Sequence, residues 1–120
     1  MKFCWCTIQV KDLSESLRFY QEIAGLPLAR RFQAGDAMEI AFLGSEPTKV
    51  ELVCNKKQPP VGSGEGISLG FEVDNLDDAM DLMRQKGIQI EAGPFQPNPN
   101  TRFFYVKDPN GVTVQFVENK

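Results

Sequence analysis

Residues 3–10 alternate between two faces, with Cys4, Cys6, Ile8 and Val10 on one and Phe3, Trp5, Thr7 and Gln9 on the other, which is the period of a β-strand. The period then becomes helical: Leu13, Leu17, Tyr20 and Ile23 fall on one stripe. Asp12 or Ser14 stands where such a helix needs a cap, and Gly25 stops it. Three strand-like runs follow at about 27–33, 37–43 and 49–54, punctuated by Gly35–Asp36 and Gly44–Ser45. The stretch from about 55 to 66, NKKQPPVGSGEG, is rich in Pro and Gly and reads as a linker. The same plan then returns. A strand over 67–73 leads into a helix over about 75–86 with Leu76, Met80 and Met83 as its stripe, stopped by Gly87. Strands are expected near 88–92, 102–107 and 112–118, with Asp108–Pro109–Asn110–Gly111 turning between the last two. Pro94–Phe95–Gln96–Pro97–Asn98–Pro99–Asn100 cannot form a central strand and reads as an exposed loop.

The chain is thus written twice. Trp5–Val10 followed by Asp12–Leu13 matches Ser68–Val73 followed by Asn75–Leu76 at an offset of 63, and Lys49–Val53 matches Thr113–Val117 at an offset of 64. A single internal duplication in a short chain means two copies of one supersecondary unit. Each copy is βαβββ, unit 1 over about 1–56 and unit 2 over about 67–120. The predicted fold class is α+β: two tandem βαβββ units whose curled mixed sheets surround a cleft, as one domain over 1–120. In each sheet one face meets the helix. On the second unit Ile67, Leu69, Phe71 and Val73 belong to that face, and Ser68, Gly70 and Glu72 to the other. Val50, Leu52 and Cys54 likewise alternate with Glu51 and Val53, and Val112, Val114 and Phe116 with Thr113, Gln115 and Val117. Equivalent positions around the cleft are Trp5, Glu51, Ser68 and Gln115, a mixture of polar and apolar groups suited to a ligand.

Composition narrows the chemistry. There is no histidine, which removes Ser–His and Cys–His nucleophile pairs and the commonest metal ligand. The formal charge of −3 and the absence of a basic stripe exclude an electrostatic nucleic-acid binder. No apolar run reaches the roughly 20 residues of a membrane span. Met1–Lys2–Phe3 runs straight into strand sequence, so no leader is read and the expected location is cytoplasmic. Cys4, Cys6 and Cys54 suit a reducing compartment and read as small core hydrophobes. Arg102, beside the Pro/Asn loop, is a candidate for meeting an anionic ligand.

Several motifs, namely Val10–Lys11–Asp12–Leu13, Ser16–Leu17–Arg18–Phe19–Tyr20, Gly25–Leu26, Val50–Glu51–Leu52, Phe71–Glu72–Val73–Asp74–Asn75 and Phe104–Tyr105–Val106–Lys107–Asp108–Pro109–Asn110–Gly111, resemble the vicinal oxygen chelate superfamily. That superfamily includes glyoxalase I, the bleomycin-resistance proteins and the extradiol dioxygenases, and the resemblance covers nearly the whole chain. It implies the glyoxalase/bleomycin resistance protein fold and paired units across a twofold axis, hence a homodimer. In glyoxalase I-like members a His or Gln in each unit's first strand and a Glu in each unit's last hold a divalent metal. Those positions here are Trp5, Glu51, Ser68 and Gln115. Only Glu51 is a family-type ligand, and Gln115 stands where the family has its proton-transferring Glu.

Two main readings follow, with a third of a plain interaction module. The first is a protein that sequesters or senses a small aromatic or apolar molecule, with Trp5 stacking and Glu51, Ser68, Gln115 and Arg102 contacting the ligand. No cofactor is expected, or at most a weakly bound divalent metal at Glu51 and Gln115. The second is a glyoxalase I-like lyase with an altered metal site and Glu51 as its catalytic carboxylate. The expected partners are a small organic molecule and a second copy of the chain, with neither nucleic acid nor membrane.

Overall fold

Alternation along the opening segment is realised as strand β1, Trp5–Gln9, in a computed structural model that describes residues 1–60 and 67–120. Unit 1 continues with helix α1 (Leu13–Arg18), a π-helical turn over Phe19–Ile23, and strands β2 (Leu28–Ala34), β3 (Met38–Leu43) and β4 (Lys49–Asn55). Asp12, not Ser14, caps the helix: its carboxylate accepts the Glu15 backbone N–H at 3.0 Å. Gly25, at φ 71°, takes the left-handed conformation that ends it. The strand order is β1-β4-β3-β2, with β1 and β4 parallel and the remaining pairs antiparallel. Parallel neighbours need a long crossover, which the helix and the β2–β3 hairpin supply. Leu13, Leu17 and Tyr20 of the helical segment are buried, as are Ile8, Leu43 and Leu52 of the strands. Burial of this one apolar face drives the unit together.

Unit 2 repeats the design with β5 (Ser68–Glu72), α2 (Leu76–Gln85), β6 (Ala92–Asn98), β7 (Thr101–Lys107) and β8 (Thr113–Asn119), in the order β5-β8-β7-β6. The Asn75 side chain accepts the Asp78 N–H at 3.0 Å, the counterpart of the Asp12 cap. Leu76 and Met83 are fully buried and Met80 half-buried. Between β7 and β8 the Asp108 carboxylate accepts the backbone N–H groups of Asn110 and Val112, each at 2.8 Å. That turn chemistry explains why a carboxylate is buried there. Contacts divide the chain into two units, Met1–Gly62 and Ser63–Lys120.

Four sequence expectations need correction. The strand placed near 88–92 lies instead at Ala92–Asn98, and takes in most of the Pro-rich segment read as a loop. Its prolines are tolerated because β6 is an edge strand, paired to β7 only at Ala92, Phe95 and Asn98, so the missing N–H groups cost few ladder bonds. Ile88, at the start of the expected strand, closes the helix instead: its N–H donates to the Met83 carbonyl at 2.8 Å. Ile67 is 61% exposed, since it precedes β5 and is not held to the helix side. Cys4 is exposed and Cys6 half-buried, so only Cys54 packs as a core hydrophobe. Asn55 belongs to β4, so the linker starts later than the pattern suggested, and its 61–66 portion lies outside the described residues. Among the described residues no helix is long and apolar enough to cross a membrane.

Glu118 ties α2 to β8. Its carboxylate accepts the buried Leu76 N–H at 2.7 Å, with Arg102 at 3.6 Å and Lys120 at 3.7 Å. The Leu76 hydrogen bond, helped by the charges of Lys120 and Arg102 and opposed by burial, holds its pKa below the ordinary value of 4.5. A depressed carboxylate stabilises the fold above its unfolded pKa, and that contribution disappears as pH falls through the folded value. The melting temperature of Glu118→Gln is therefore expected to lie below that of the parent at neutral pH, with the gap closing below about pH 4.5. A gap that stays constant through the acid range would show that the charge of Glu118 contributes nothing.

Candidate functional site

In unit 1, period-two alternation sends Trp5, Thr7 and Gln9 of β1 away from the helix, beside Lys49, Glu51 and Val53 of β4. The parallel register sets Trp5 opposite Lys49 and Thr7 opposite Glu51, so Trp5 and Glu51 are diagonal neighbours on one face. The Thr7 hydroxyl donates to the Glu51 carboxylate at 2.5 Å. Phe42 of β3 lies opposite Glu51 on the other side and is only 5% exposed although it faces away from the helix. Aromatic neighbours cover it. The Trp5 ring meets it edge-on at 5.4 Å, Phe32 stacks at 6.3 Å, and the Arg30 guanidinium sits 4.5 Å from its centroid. Trp5 itself remains 48% exposed.

Unit 2 builds the corresponding face with different chemistry. Ser68 lies opposite Thr113 and Gly70 opposite Gln115, making Ser68 and Gln115 the diagonal pair. Where unit 1 has Thr7 beside its carboxylate, unit 2 has Gly70, and the freed space is taken by the Gln115 side chain. A Cβ on Gly70 would lie 3.3 Å from Gln115 Oε1. Gln115 Nε2 donates to the Tyr105 hydroxyl at 3.3 Å. Phe95, Phe103 and Tyr105 form an aromatic run on this face, with Phe103 at 5.5 Å from Phe95 and 5.6 Å from Tyr105, whereas Phe104 points into the core and is fully buried.

Each unit therefore pairs the two positions that the repeat assigned to it: Trp5 with Glu51, and Ser68 with Gln115. Arg102 does not join them. It shares the helix-side parity of Phe104, opposite Glu118 in the register, and its guanidinium lies 3.5 Å from Asp77 and 3.6 Å from Glu118. Its proximity to the Pro/Asn segment in sequence suggested a ligand contact, but strand parity places it on the other face. Arg30, Phe32, Phe42 and Tyr105 were not among the candidate residues. The alternation within 37–43 could have indicated Phe42, but no local signal marks the bulge that sets the position of Arg30.

The donor set does not fit a catalytic divalent cation. Zinc or nickel wants three or four strong N, O or S donors. Glu51 offers a carboxylate already engaged by Thr7, Gln115 an amide carbonyl and Ser68 a hydroxyl. Trp5 offers none, because the indole nitrogen only donates. Among the described residues no group of three or more His, Cys, Asp and Glu side chains could hold a metal. What each face offers instead is flat aromatic surface with a few hydrogen-bonding groups.

The burial pattern separates an anchor from an available surface. Phe42→Ala is expected to cost about 3 kcal/mol of folding stability, as for other buried aromatics, whereas Trp5→Ala should cost no more than about 1 kcal/mol. Chemical denaturation of both variants checks this. Equal losses would make Trp5 a packing residue.

The sequence pattern of the Glyoxalase/Bleomycin resistance protein/Dioxygenase superfamily matches residues 2–116. The lactoylglutathione lyase of Haemophilus influenzae is 29% identical over 128 residues, covering all of this chain and 94% of that protein. Among solved structures, the trypanothione-dependent glyoxalase I of Leishmania major superposes with a TM-score of 0.84 at 22% identity, over 98% of this chain and 86% of that one. An antibiotic-binding protein from Streptomyces superposes with a TM-score of 0.78 at 20% identity, over 100% of this chain and 97% of that one. At these identities the structural likenesses establish the fold. With the family pattern spanning nearly every residue, the chain belongs to the glyoxalase/bleomycin resistance protein/dioxygenase superfamily.

Proposed function

We propose that this protein binds a small organic molecule on the helix-free faces of its sheets and does not carry out metal-dependent isomerisation. The observation that carries this reading is the half-exposed indole of Trp5, standing in the strand position where glyoxalase I-like members have a metal donor. Trp5 supplies a flat face, Glu51 a charge, and Ser68 and Gln115 hydrogen bonds. The same scaffold serves an antibiotic-binding protein, and fold alone does not choose among its chemistries. A second reading, a lactoylglutathione lyase-type enzyme, is favoured by the full-length identity to that enzyme and by the retained Glu51. Against it stand the weak donor set and Gln115, whose amide cannot accept and return a proton as a carboxylate does.

Large exposed apolar side chains, among them Trp5, Phe32, Ile67 and Phe95, favour association of two chains. Each four-stranded sheet also has two open edges. The reading is a homodimer, and light scattering at micromolar concentration should give twice the chain mass; a monomeric mass would sink it.

After dialysis the protein is expected to hold well under one equivalent of zinc, nickel or manganese per chain. It should isomerise a glutathione hemithioacetal slowly or not at all when metal is added. The triple variant Trp5→His, Ser68→His, Gln115→Glu restores the family's donor types, and should gain metal retention by elemental analysis. Stoichiometric metal and rapid isomerisation by the unaltered chain would overturn the binding reading in favour of the enzyme.

A further inference from the structure

The two units make the same sheet, so any chemistry present in only one of them is not required by the scaffold. Unit 1 has a pocket of about 280 Å³ that unit 2 does not reproduce in composition, lined in part by Trp5, Phe42, Lys2, Arg30 and Lys49. Ligand pockets run from about 300 Å³ upward, so this one suits a single ring with one polar group. It holds three cations and no carboxylate side chain, in a chain whose net charge is −3. At the corresponding positions unit 2 carries Ser68 for Trp5, Tyr105 for Phe42, Ala92 for Arg30 and Thr113 for Lys49, so it has no cation at any of them.

Arg30 reaches the pocket through a local irregularity. Leu28 pairs with Leu43 and Arg30 with Phe42, so Ala29 is an extra residue in β2. Without that bulge Ala29 would fall opposite Phe42 and Arg30 would take the other face. The guanidinium is held by cation–π contact, 4.5 Å from the Phe42 centroid and 5.4 Å from that of Phe32. It makes no ion pair with a described residue, so its planar fork of N–H donors is available. Lys49 Nζ donates to the Glu46 backbone carbonyl, which leaves it two further donors and its charge.

We propose that unit 1 binds a planar aromatic carboxylate here, its ring against Trp5 and Phe42 and its carboxylate on the Arg30 fork, with Lys49 and Lys2 adding positive potential. The assignment rests on the ligand-binding reading above and specifies its ligand class. A guanidinium pre-stacked on an aromatic ring matches a carboxylate bidentately with little ordering left to lose. An aromatic amine placed in the same pocket would meet three like charges.

Isothermal titration of the full chain with benzoate, benzyl alcohol and benzylamine tests it. Benzoate should bind saturably, and more weakly as salt rises, with the other two binding at least about tenfold less well. Arg30→Met should weaken benzoate by about tenfold or more, Arg30→Lys by less, and Lys49→Met measurably, and all three variants should still unfold cooperatively, because Arg30 is an exposed edge-strand residue whose cation–π contact is small beside the core. Benzyl alcohol or benzylamine binding as tightly as benzoate, or an unaltered benzoate affinity in Arg30→Met, overturns the carboxylate assignment and leaves the broader ligand-binding reading intact. No binding of any of the three also overturns the assignment, and the metal analysis then decides the broader reading on its own.

Discussion

The parallel pairing of the first and last strands in each unit is the constraint on which the rest depends. It joins residues more than 40 positions apart, Trp5 with Lys49 and Thr7 with Glu51, and it is repeated between Ser68 and Thr113 and between Gly70 and Gln115. A parallel pair cannot be closed by a tight turn, so the intervening chain must contain a helix and a hairpin. The helix covers one face, and the alternating residues of the other face are left for function. A slip of one residue would exchange the two faces and put Glu51 and Gln115 into the core. The buried Leu52 and Val114 beside them make that exchange costly.

Within that frame, duplication followed by divergence explains the asymmetry of the two faces. Thr7 orients Glu51 in unit 1, while Gly70 makes room for Gln115 in unit 2. Phe42 carries Trp5, Phe32 and Arg30, whereas its counterpart Tyr105 uses its hydroxyl to hold Gln115. Each change alters what the surface offers without altering the sheet beneath it. Trp5, Glu51, Ser68 and Gln115 present an aromatic plate, a carboxylate, a hydroxyl and an amide. A fold that hosts many functions leaves the choice of chemistry to such face residues.

The βαβββ plan was legible because it rests on strong, redundant signals: two periodicities, a cap at Asp12 or Ser14, helix stops at Gly25 and Gly87, and the Asp108–Gly111 turn. The pairs Trp5 with Glu51 and Ser68 with Gln115 were legible for the same reason, since strand parity and the repeat fix them without knowledge of loops. What failed depends on position within the sheet rather than on local pattern. Ala92–Asn98 is a strand only because it lies at an edge, where Pro94 and Pro97 lose little. Arg102 turned out to belong to Glu118 and Asp77, a partnership that only the β7–β8 register and the helix docking reveal. The face of Arg30 is set by a one-residue bulge at Ala29, to which alternation is blind.

The central claim is that the faces around Trp5 and Gln115 have exchanged metal chemistry for recognition of an organic molecule. Native mass spectrometry of the protein taken from its own cells tests that most directly. The account predicts an organic adduct released by mild activation and reduced in a Trp5→Ala variant, with no metal ion in stoichiometric amount. One divalent ion per chain, retained after the organic fraction is removed, would contradict it.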